Sequence, residues 1–122
     1  MGNILVVDDN EDMCQIISDV LRAEKYMVGI AHDGESALTE LKRETYDVMV
    51  LDYKLFDMTG LDVLEKLKGT VPPLSTIMIS AYGSDAVKVK ARTLGVYDFL
   101  DKPFNVDTLL KVVKKALRKK AG

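Results

Sequence analysis

Five short apolar segments alternate with five stretches of helical periodicity, and this alternation limits the folds open to the chain. The predicted strands cover residues 3–7, 26–31, 47–51, 76–80 and 96–100. The first, third and fourth segments are almost continuous Ile, Leu, Val and Met, which is typical of strands covered on both faces. Strict strand–helix alternation predicts an α/β fold, with a parallel sheet and right-handed crossover helices on both of its faces.

The intervening segments carry the signals of amphipathic helices. In the first of them, Met13, Ile16 and Ile17 begin an apolar stripe at three- and four-residue spacing. Side chains that commonly cap helices precede these stretches: Asn10, either Asp57 or Thr59, Ser84 and Asn105. Gly69 and Gly95 stand where the third and fourth helices are expected to end.

Length and composition indicate one ordinary globular domain over residues 1–122. The chain has 122 residues, of which 48% are hydrophobic and 30% are charged. The lone Cys14 cannot form an internal disulfide, and no signal peptide or long apolar stretch is present, so we expect a cytoplasmic protein without a membrane segment.

Charge gives little reason to expect contact with nucleic acid. The formal net charge is −2, although residues 111–120 contain six basic side chains. Cations near a helix C-terminus are favoured by the helix dipole, so a solvated face accounts for them. We therefore expect no direct binding of nucleic acid or membranes by this domain.

Polar residues follow the predicted strands at the end where a parallel sheet of this type binds ligands. Asp8 and Asp9 follow the first strand, Asp52 follows the third, Ser80 ends the fourth, and Lys102 comes shortly after the fifth. Because binding sites in such sheets lie beyond the carboxyl ends of the strands, we expect these side chains to meet at one rim.

Three carboxylates at one rim oppose each other's ionisation unless a cation joins them. Oxygen ligands favour a hard divalent ion, so Mg²⁺ is the expected occupant, with Mn²⁺ as the alternative. A metal, the Lys102 ammonium and the Ser80 hydroxyl together suit the stabilisation of a phosphoryl group in transfer. Asp52 would then be the nucleophile and would form an acyl phosphate.

Four segments show a specific resemblance over essentially the whole chain. They are ILVVDDNED, VMVLDYKLFDMTGLDVL, IMISAYG and GVYDFLDKPF, in this order. In sequence and spacing they resemble the receiver domain of two-component response regulators. The resemblance implies a flavodoxin-like sheet with strand order 2-1-3-4-5, which the alternation of elements alone leaves undetermined.

The resemblance also implies a set of metal ligands. Asp9, Asp52 and the backbone carbonyl of Lys54 would bind Mg²⁺ directly, whereas Asp8 would act mainly through a coordinated water. Asp52 would be the site of phosphorylation.

Further roles follow from the same resemblance. Lys102 would pair with Asp52 and then with the phosphoryl oxygens, and the Lys102–Pro103 bond would be cis. Ser80 occupies the position of the switch hydroxyl. Phe99 matches the aromatic residue that turns inward when Ser80 moves toward the phosphoryl group.

Several positions differ from, or vary within, the family pattern. Phe56 stands where Pro is frequent, which suggests a looser or differently folded loop after Asp52. Phe99 lacks the hydroxyl that a Tyr would have, so its inward position would depend on burial alone. Lys54 and Tyr82 flank the site; because both are bulky, we expect them to shield the acyl phosphate from water and lengthen its lifetime.

The resemblance implies a signalling domain that promotes its own phosphorylation and dephosphorylation, rather than an enzyme with a separate substrate. Its partners would be a histidine kinase or phosphotransfer protein, an output domain or downstream protein, and a second copy bound through the last strand–helix surface. Whether the chain is a stand-alone regulator, a phosphorelay shuttle or a module of a longer regulator stays open.

Two enzymes with related residues are alternatives. A phosphatase of the haloacid dehalogenase type also uses an aspartyl nucleophile and Mg²⁺, but it normally has a second Asp two residues later, where this chain has Lys54. A hydrolase using Ser80, His32 and Asp52 would need a nucleophile elbow around Ser80, and none is present.

Overall fold

A computed structural model describes residues 2–69, 72–81 and 83–121. In these residues five strands and five helices alternate. The strands are β1 (Asn3–Val7), β2 (Met27–Ala31), β3 (Val48–Asp52), β4 (Ser75–Ser80) and β5 (Asp98–Asp101). The helices are α1 (Glu11–Ala23), α2 (Gly34–Arg43), α3 (Gly60–Leu67), α4 (Asp85–Thr93) and α5 (Val106–Ala121).

All five strands are parallel and lie in the order β2-β1-β3-β4-β5, which confirms the predicted fold. The predicted bounds of β1 agree with the structure, those of the other strands differ by one or two residues, and the largest shift is at the start of β5. The register places Val7 beside Leu51 and Asp52 beside Ile79. The carboxyl ends of the three central strands therefore lie at the same edge of the sheet.

Side chains of the central strands point alternately into two apolar layers, one on each face of the sheet. Leu5 and Val7 pack with residues of α2, α3 and α4, whereas Ile4 and Val6 pack with residues of α1 and α5. This two-sided burial explains why the central strands are continuously apolar.

Side-chain caps fix where several helices begin. The Asn10 side chain accepts a hydrogen bond from the Met13 backbone N–H, and the Ser84 side chain accepts one from Val87. Thr59 caps α3 in a reciprocal capping box with Asp62, so Thr59 rather than Asp57 is the cap. Gly95, with φ 88°, follows α4 in a conformation that favours glycine.

Among the described residues, no helix combines the length and the apolar composition that crossing a bilayer requires.

Two neighbouring isoleucines on α1 test the packing. Ile17 is 1% exposed beneath the helix, whereas Ile16 is 49% exposed. We expect Ile17→Ala to lower the free energy of unfolding by about 2–5 kcal/mol, because it leaves a cavity in the core.

Ile16→Ala is the matched control, since it makes the same change in side chain and helix propensity one position away. It should lower the free energy of unfolding by less than about 1 kcal/mol, because exposed sites contribute little. Urea denaturation of both variants measures the difference, and equal losses would contradict the assigned faces of α1.

Candidate functional site

Three carboxylates meet at the carboxyl edge of the sheet. Asp8 and Asp9 directly follow β1, and Asp52 is the last residue of β3. Asp8 and Asp52 are buried, whereas Asp9 is exposed. One carboxylate oxygen from each residue lies within 4.8 Å of the others. The structure therefore places these three predicted site residues together.

Lys102 lies against two of these carboxylates. Its Nζ is 3.3 Å from Asp52 Oδ2 and 3.6 Å from Asp8 Oδ2. The backbone N–H of Lys102 donates to the Ser80 carbonyl oxygen over 2.8 Å, which anchors the segment after β5 to the end of β4. The Lys102–Pro103 bond is cis, and this prediction is confirmed.

The charges at the rim are unbalanced. Burial, followed by the negative charge of Asp8, raises the pKa of Asp52 to about 6, although Lys102 opposes the shift. Burial acts to lower the pKa of Lys102, but the charges of Asp52 and Asp8 outweigh it, so this pKa is raised and the ammonium is retained. One ammonium does not neutralise three carboxylates, so the rim favours an additional cation.

The donor set fits a hard divalent cation. Carboxylate oxygens on two strand ends converge within the spacing that one ion can bridge, and Asp9 keeps the site open to solvent. Mg²⁺ commonly uses one or two protein carboxylates and keeps several waters, which suits a partly open rim.

Ser80 and Phe99 flank this rim on β4 and β5. Ser80 is buried at the end of β4, one residue beyond Ile79, which pairs with Asp52. Phe99 is half-buried and packs against the apolar layer under α2 and α3, with Lys88 Nζ 5.4 Å from its ring centroid.

A cleft of about 410 Å³ leads from solvent to Asp52. Its lining residues are Asp9, Asp52, Lys54, Leu55, Phe56, Ala81 and Lys102. Phe56 is 91% exposed, so its ring stands in solvent at the mouth of the cleft. Lys54 is placed beside the acceptor as predicted, whereas Tyr82 lies outside the described residues.

The residues of the rival hydrolase do not assemble. His32 directly follows β2, and its Nδ1 lies 3.2 Å from the Asp8 carbonyl oxygen and 3.8 Å from Cys14 Sγ. Ser80 ends β4, and β3 lies between β1 and β4. Cys14 is buried, and burial and the Asp8 charge raise the pKa of its thiol to about 11, which agrees with a packing role.

Comparison with protein families identifies this arrangement. The model of the response regulator receiver domain matches residues 4–114. The chain belongs to the response regulator receiver family. It is therefore a receiver domain of two-component signalling, and the match gives no support to the phosphatase alternative.

Sequence relatives of this receiver are transcriptional regulators. The regulatory protein ZraR of Escherichia coli K12 is 33% identical over 115 residues, which cover 94% of this chain and 26% of ZraR. The probable regulator TcrX of Mycobacterium tuberculosis is 35% identical over 116 residues, 95% of this chain and 50% of TcrX. The chain thus spans between about a quarter and a half of the length of these curated relatives.

Solved receiver structures have the same fold. The CheY-like receiver domain protein of Methanospirillum hungatei superposes with a TM-score of 0.94 at 31% identity, covering 100% of this chain and 99% of that one. The beryllofluoride-activated NtrC4 receiver domain, solved as a dimer, has a TM-score of 0.90 at 34% identity, and the match covers 98% of both chains.

Asp57 is a residue whose contacts sequence reasoning missed. Its two carboxylate oxygens accept the backbone N–H groups of Gly34 and Glu35 at the start of α2, over 2.8 and 3.0 Å. These hydrogen bonds hold the pKa of Asp57 below its usual range. The only sequence signal is its oxygen-bearing side chain, which makes Asp57 one of two candidate caps for α3.

The raised pKa of Asp52 predicts how the free energy of unfolding changes with pH in the absence of a metal. The folded protein binds the proton of Asp52 more tightly than the unfolded chain does, because the pKa of this residue rises from its ordinary value of 3.8 to about 6 on folding. The stability should therefore fall as the pH rises through this window and stay lower above it. Because Asp52→Asn removes the titrating group, we expect it to raise the free energy of unfolding at neutral pH by roughly 1 kcal/mol for this partly solvated rim.

Thermal denaturation in EDTA at a series of pH values measures this effect. The gain of Asp52→Asn over the wild type should be largest above the folded pKa and should shrink as the pH is lowered toward the ordinary value. A gain that is independent of pH would contradict the assigned cause.

Proposed function

We propose that the chain accepts a phosphoryl group on Asp52 in a Mg²⁺-dependent reaction, with a histidine kinase or phosphotransfer protein as donor. The convergence of Asp8, Asp9 and Asp52, with Lys102 against Asp8 and Asp52, is the observation that carries this proposal. A carboxylate nucleophile, a site for a hard cation and a positive side chain are the parts that phosphoryl transfer to an aspartate needs.

Asp52 supplies the nucleophile. Because its pKa is about 6, the carboxylate is largely ionised at neutral pH. One of its oxygens attacks phosphorus, the new P–O bond forms, and the P–N bond to the donor histidine breaks with the electron pair returning to the imidazole. Asp52 is reached through the cleft, so the donor must present its phosphoryl group there.

The neighbouring groups hold and stabilise the phosphoryl group. Asp9, Asp52 and the Lys54 carbonyl would bind Mg²⁺ directly, with Asp8 acting through a water. When bound, the ion neutralises charge on the carboxylates and on the phosphoryl oxygens. Lys102, already beside Asp52 Oδ2, then has a new anionic partner within reach and holds the product's charge.

Ser80 and Phe99 would carry the response. Ser80 ends the strand beside Asp52, so a modest movement would bring its hydroxyl toward a phosphoryl oxygen. Phe99, under Lys88 at the start of α4, would then turn further into the space that Ser80 leaves. This movement would alter the α4–β5–α5 surface that faces an output domain or downstream protein.

A surface that changes on phosphorylation, such as the last strand–helix surface, would bind partners that distinguish the two states. A second copy is one candidate, and the related NtrC4 receiver forms a dimer in its activated state. Direct binding of nucleic acid is not part of the proposal. Lys114 on α5 pairs with Glu24 at 2.7 Å, and Lys119 lies over the Tyr97 ring, so part of the basic charge has partners within the domain.

Incubation with acetyl phosphate and Mg²⁺, followed by intact mass measurement, tests the acceptor. We expect the wild type to gain the mass of one phosphoryl group and Asp52→Asn to gain none, because an amide cannot form the acyl phosphate. EDTA should abolish the gain in the wild type.

Asp47→Asn is the matched control, since it makes the same substitution at the opposite end of β3. It should keep the mass gain. A gain retained by Asp52→Asn would place the phosphoryl group on another residue, and no gain in folded wild type would contradict the proposal.

Substitution of Lys54 tests whether its side chain lengthens the lifetime of the phosphorylated state. Its side chain is exposed and lines the cleft beside Asp52, where we expect it to limit the approach of water. We expect Lys54→Asn to accelerate loss of the phosphoryl group roughly fivefold, which corresponds to about 1 kcal/mol in the hydrolysis barrier. The decay is measured by intact mass after removal of acetyl phosphate.

Lys68→Asn, the same substitution at an exposed position after α3, should decay at the wild-type rate. Equal rates for Lys54→Asn and the wild type would show that this side chain does not shield the acyl phosphate.

A further inference from the structure

The loop between Asp52 and α3 is fastened to a helix from a different part of the chain. Asp57 accepts the backbone N–H groups of Gly34 and Glu35, one with each carboxylate oxygen. The loop also packs closely against this helix terminus, because a Cβ at Gly34 would clash with the Met58 side chain. Hydrogen bonds and van der Waals contact thus join the tip of the loop to α2.

Helix α2 does not depend on Asp57 alone for its cap. The side chain of Asp33, directly before the helix, accepts the Ser36 N–H over 2.7 Å. A side-chain cap from the preceding residue is the usual way to begin a helix. Because Asp33 already caps the helix, the main effect of the additional contact from Asp57 is to hold the loop against α2.

Backbone hydrogen bonds within the loop connect its tip, which is held by α2, to the residues beside Asp52. Leu55 N–H donates to the Met58 carbonyl oxygen over 3.1 Å, on one side of the facing pair Lys54 and Thr59. Gly60 N–H donates to the Tyr53 carbonyl oxygen, which closes the base of the loop beside Asp52. Lys54 therefore lies in a closed turn whose tip is held by Asp57.

The neighbouring side chain gives the loop no comparable support. Phe56 is 91% exposed, so it contributes little packing, and it stands where a ring-restricted Pro would stiffen the backbone. Asp57 is the next residue, and its two hydrogen bonds fix the position of the loop from outside.

We propose that Asp57 is a positioning residue for the Mg²⁺ site, which it serves by holding the Lys54 carbonyl in place through the loop. This inference rests on the proposed function, because it assumes that Mg²⁺ binds at the rim. Residues that orient the ligands of a metal without touching it commonly affect its affinity strongly.

Calorimetric titration with Mg²⁺ tests the proposal. We expect Asp57→Ala to raise the Kd for Mg²⁺ about tenfold, at the lower end of the range for lost outer partners of a metal site. With acetyl phosphate as donor, the Mg²⁺ concentration for half-maximal phosphorylation should rise equally, while the rate at saturating Mg²⁺ stays close to that of the wild type.

Asp33→Ala is the matched control, since it removes one carboxylate and one capping contact from the same helix terminus without releasing the loop. Both variants should lose roughly 4 °C in Tm, as expected for a lost cap. Only Asp57→Ala should bind Mg²⁺ more weakly. Equal Kd values for the two variants would overturn the proposal and leave Asp57 as a helix cap.

Asp57→Asn separates position from charge and serves if Asp57→Ala does not fold. The amide lacks the charge but keeps one acceptor oxygen, so we expect a Kd between those of the wild type and Asp57→Ala. A Kd equal to that of Asp57→Ala would assign the effect to charge and overturn the positioning role. If Asp57→Ala does not fold, a Kd of Asp57→Asn equal to that of the wild type would overturn the proposal, because one of the two hydrogen bonds is lost. Failure of the wild type itself to bind Mg²⁺ would instead contradict the proposed function.

Discussion

The repulsion among Asp8, Asp9 and Asp52 is the constraint on which the rest of the site depends. Ionised carboxylates at this spacing are tolerated at a partly buried rim only when other groups supply positive charge or hydrogen bonds. Lys102 meets two of them, and the Asn10 backbone N–H donates to Asp8. These contacts still leave a surplus of negative charge, which makes the rim selective for a cation.

Tolerance of this surplus depends on the rigidity of the central sheet. β1 and β3 are buried on both faces, and their register fixes how closely their last residues approach. The carboxylates cannot move apart without disturbing apolar layers on both sides. Electrostatic strain at the rim is therefore supported by hydrophobic burial below it, and the Asp52→Asn comparison measures how large that strain is.

Much of this arrangement follows from the sequence because it depends on periodicity. Continuous apolar strands predict a parallel sheet, and a parallel sheet brings Asp8, Asp52 and Ser80 to one edge. The order of the strands does not follow in this way, since alternation alone permits several orders, and only the resemblance predicts it. β5 was placed less accurately because it is a half-exposed edge strand with a weaker apolar pattern.

The contact of Asp57 with α2 could not be predicted for a different physical reason. Asp57 lies 23 residues from Gly34, and no periodic pattern relates a loop tip to the start of a distant helix. Locally, Asp57 and Thr59 are both competent caps for α3, and the choice between them depends on the tertiary contact. Once α2 and α3 pack side by side on one face of the sheet, Asp57 is close to the unsatisfied N–H groups at the start of α2. Thr59 then caps α3.

The same reasoning applies to the loop after Asp52, where Phe56 stands in place of a residue that would stiffen the backbone. A proline restricts the backbone locally, before any tertiary structure forms. Asp57 restricts it only after α2 is in place, so the geometry of the proposed metal site would depend on the contact between the loop tip and this helix. A receiver built in this way would have a Mg²⁺ affinity that responds to loss of the contact between Asp57 and α2, which lies outside the cleft itself.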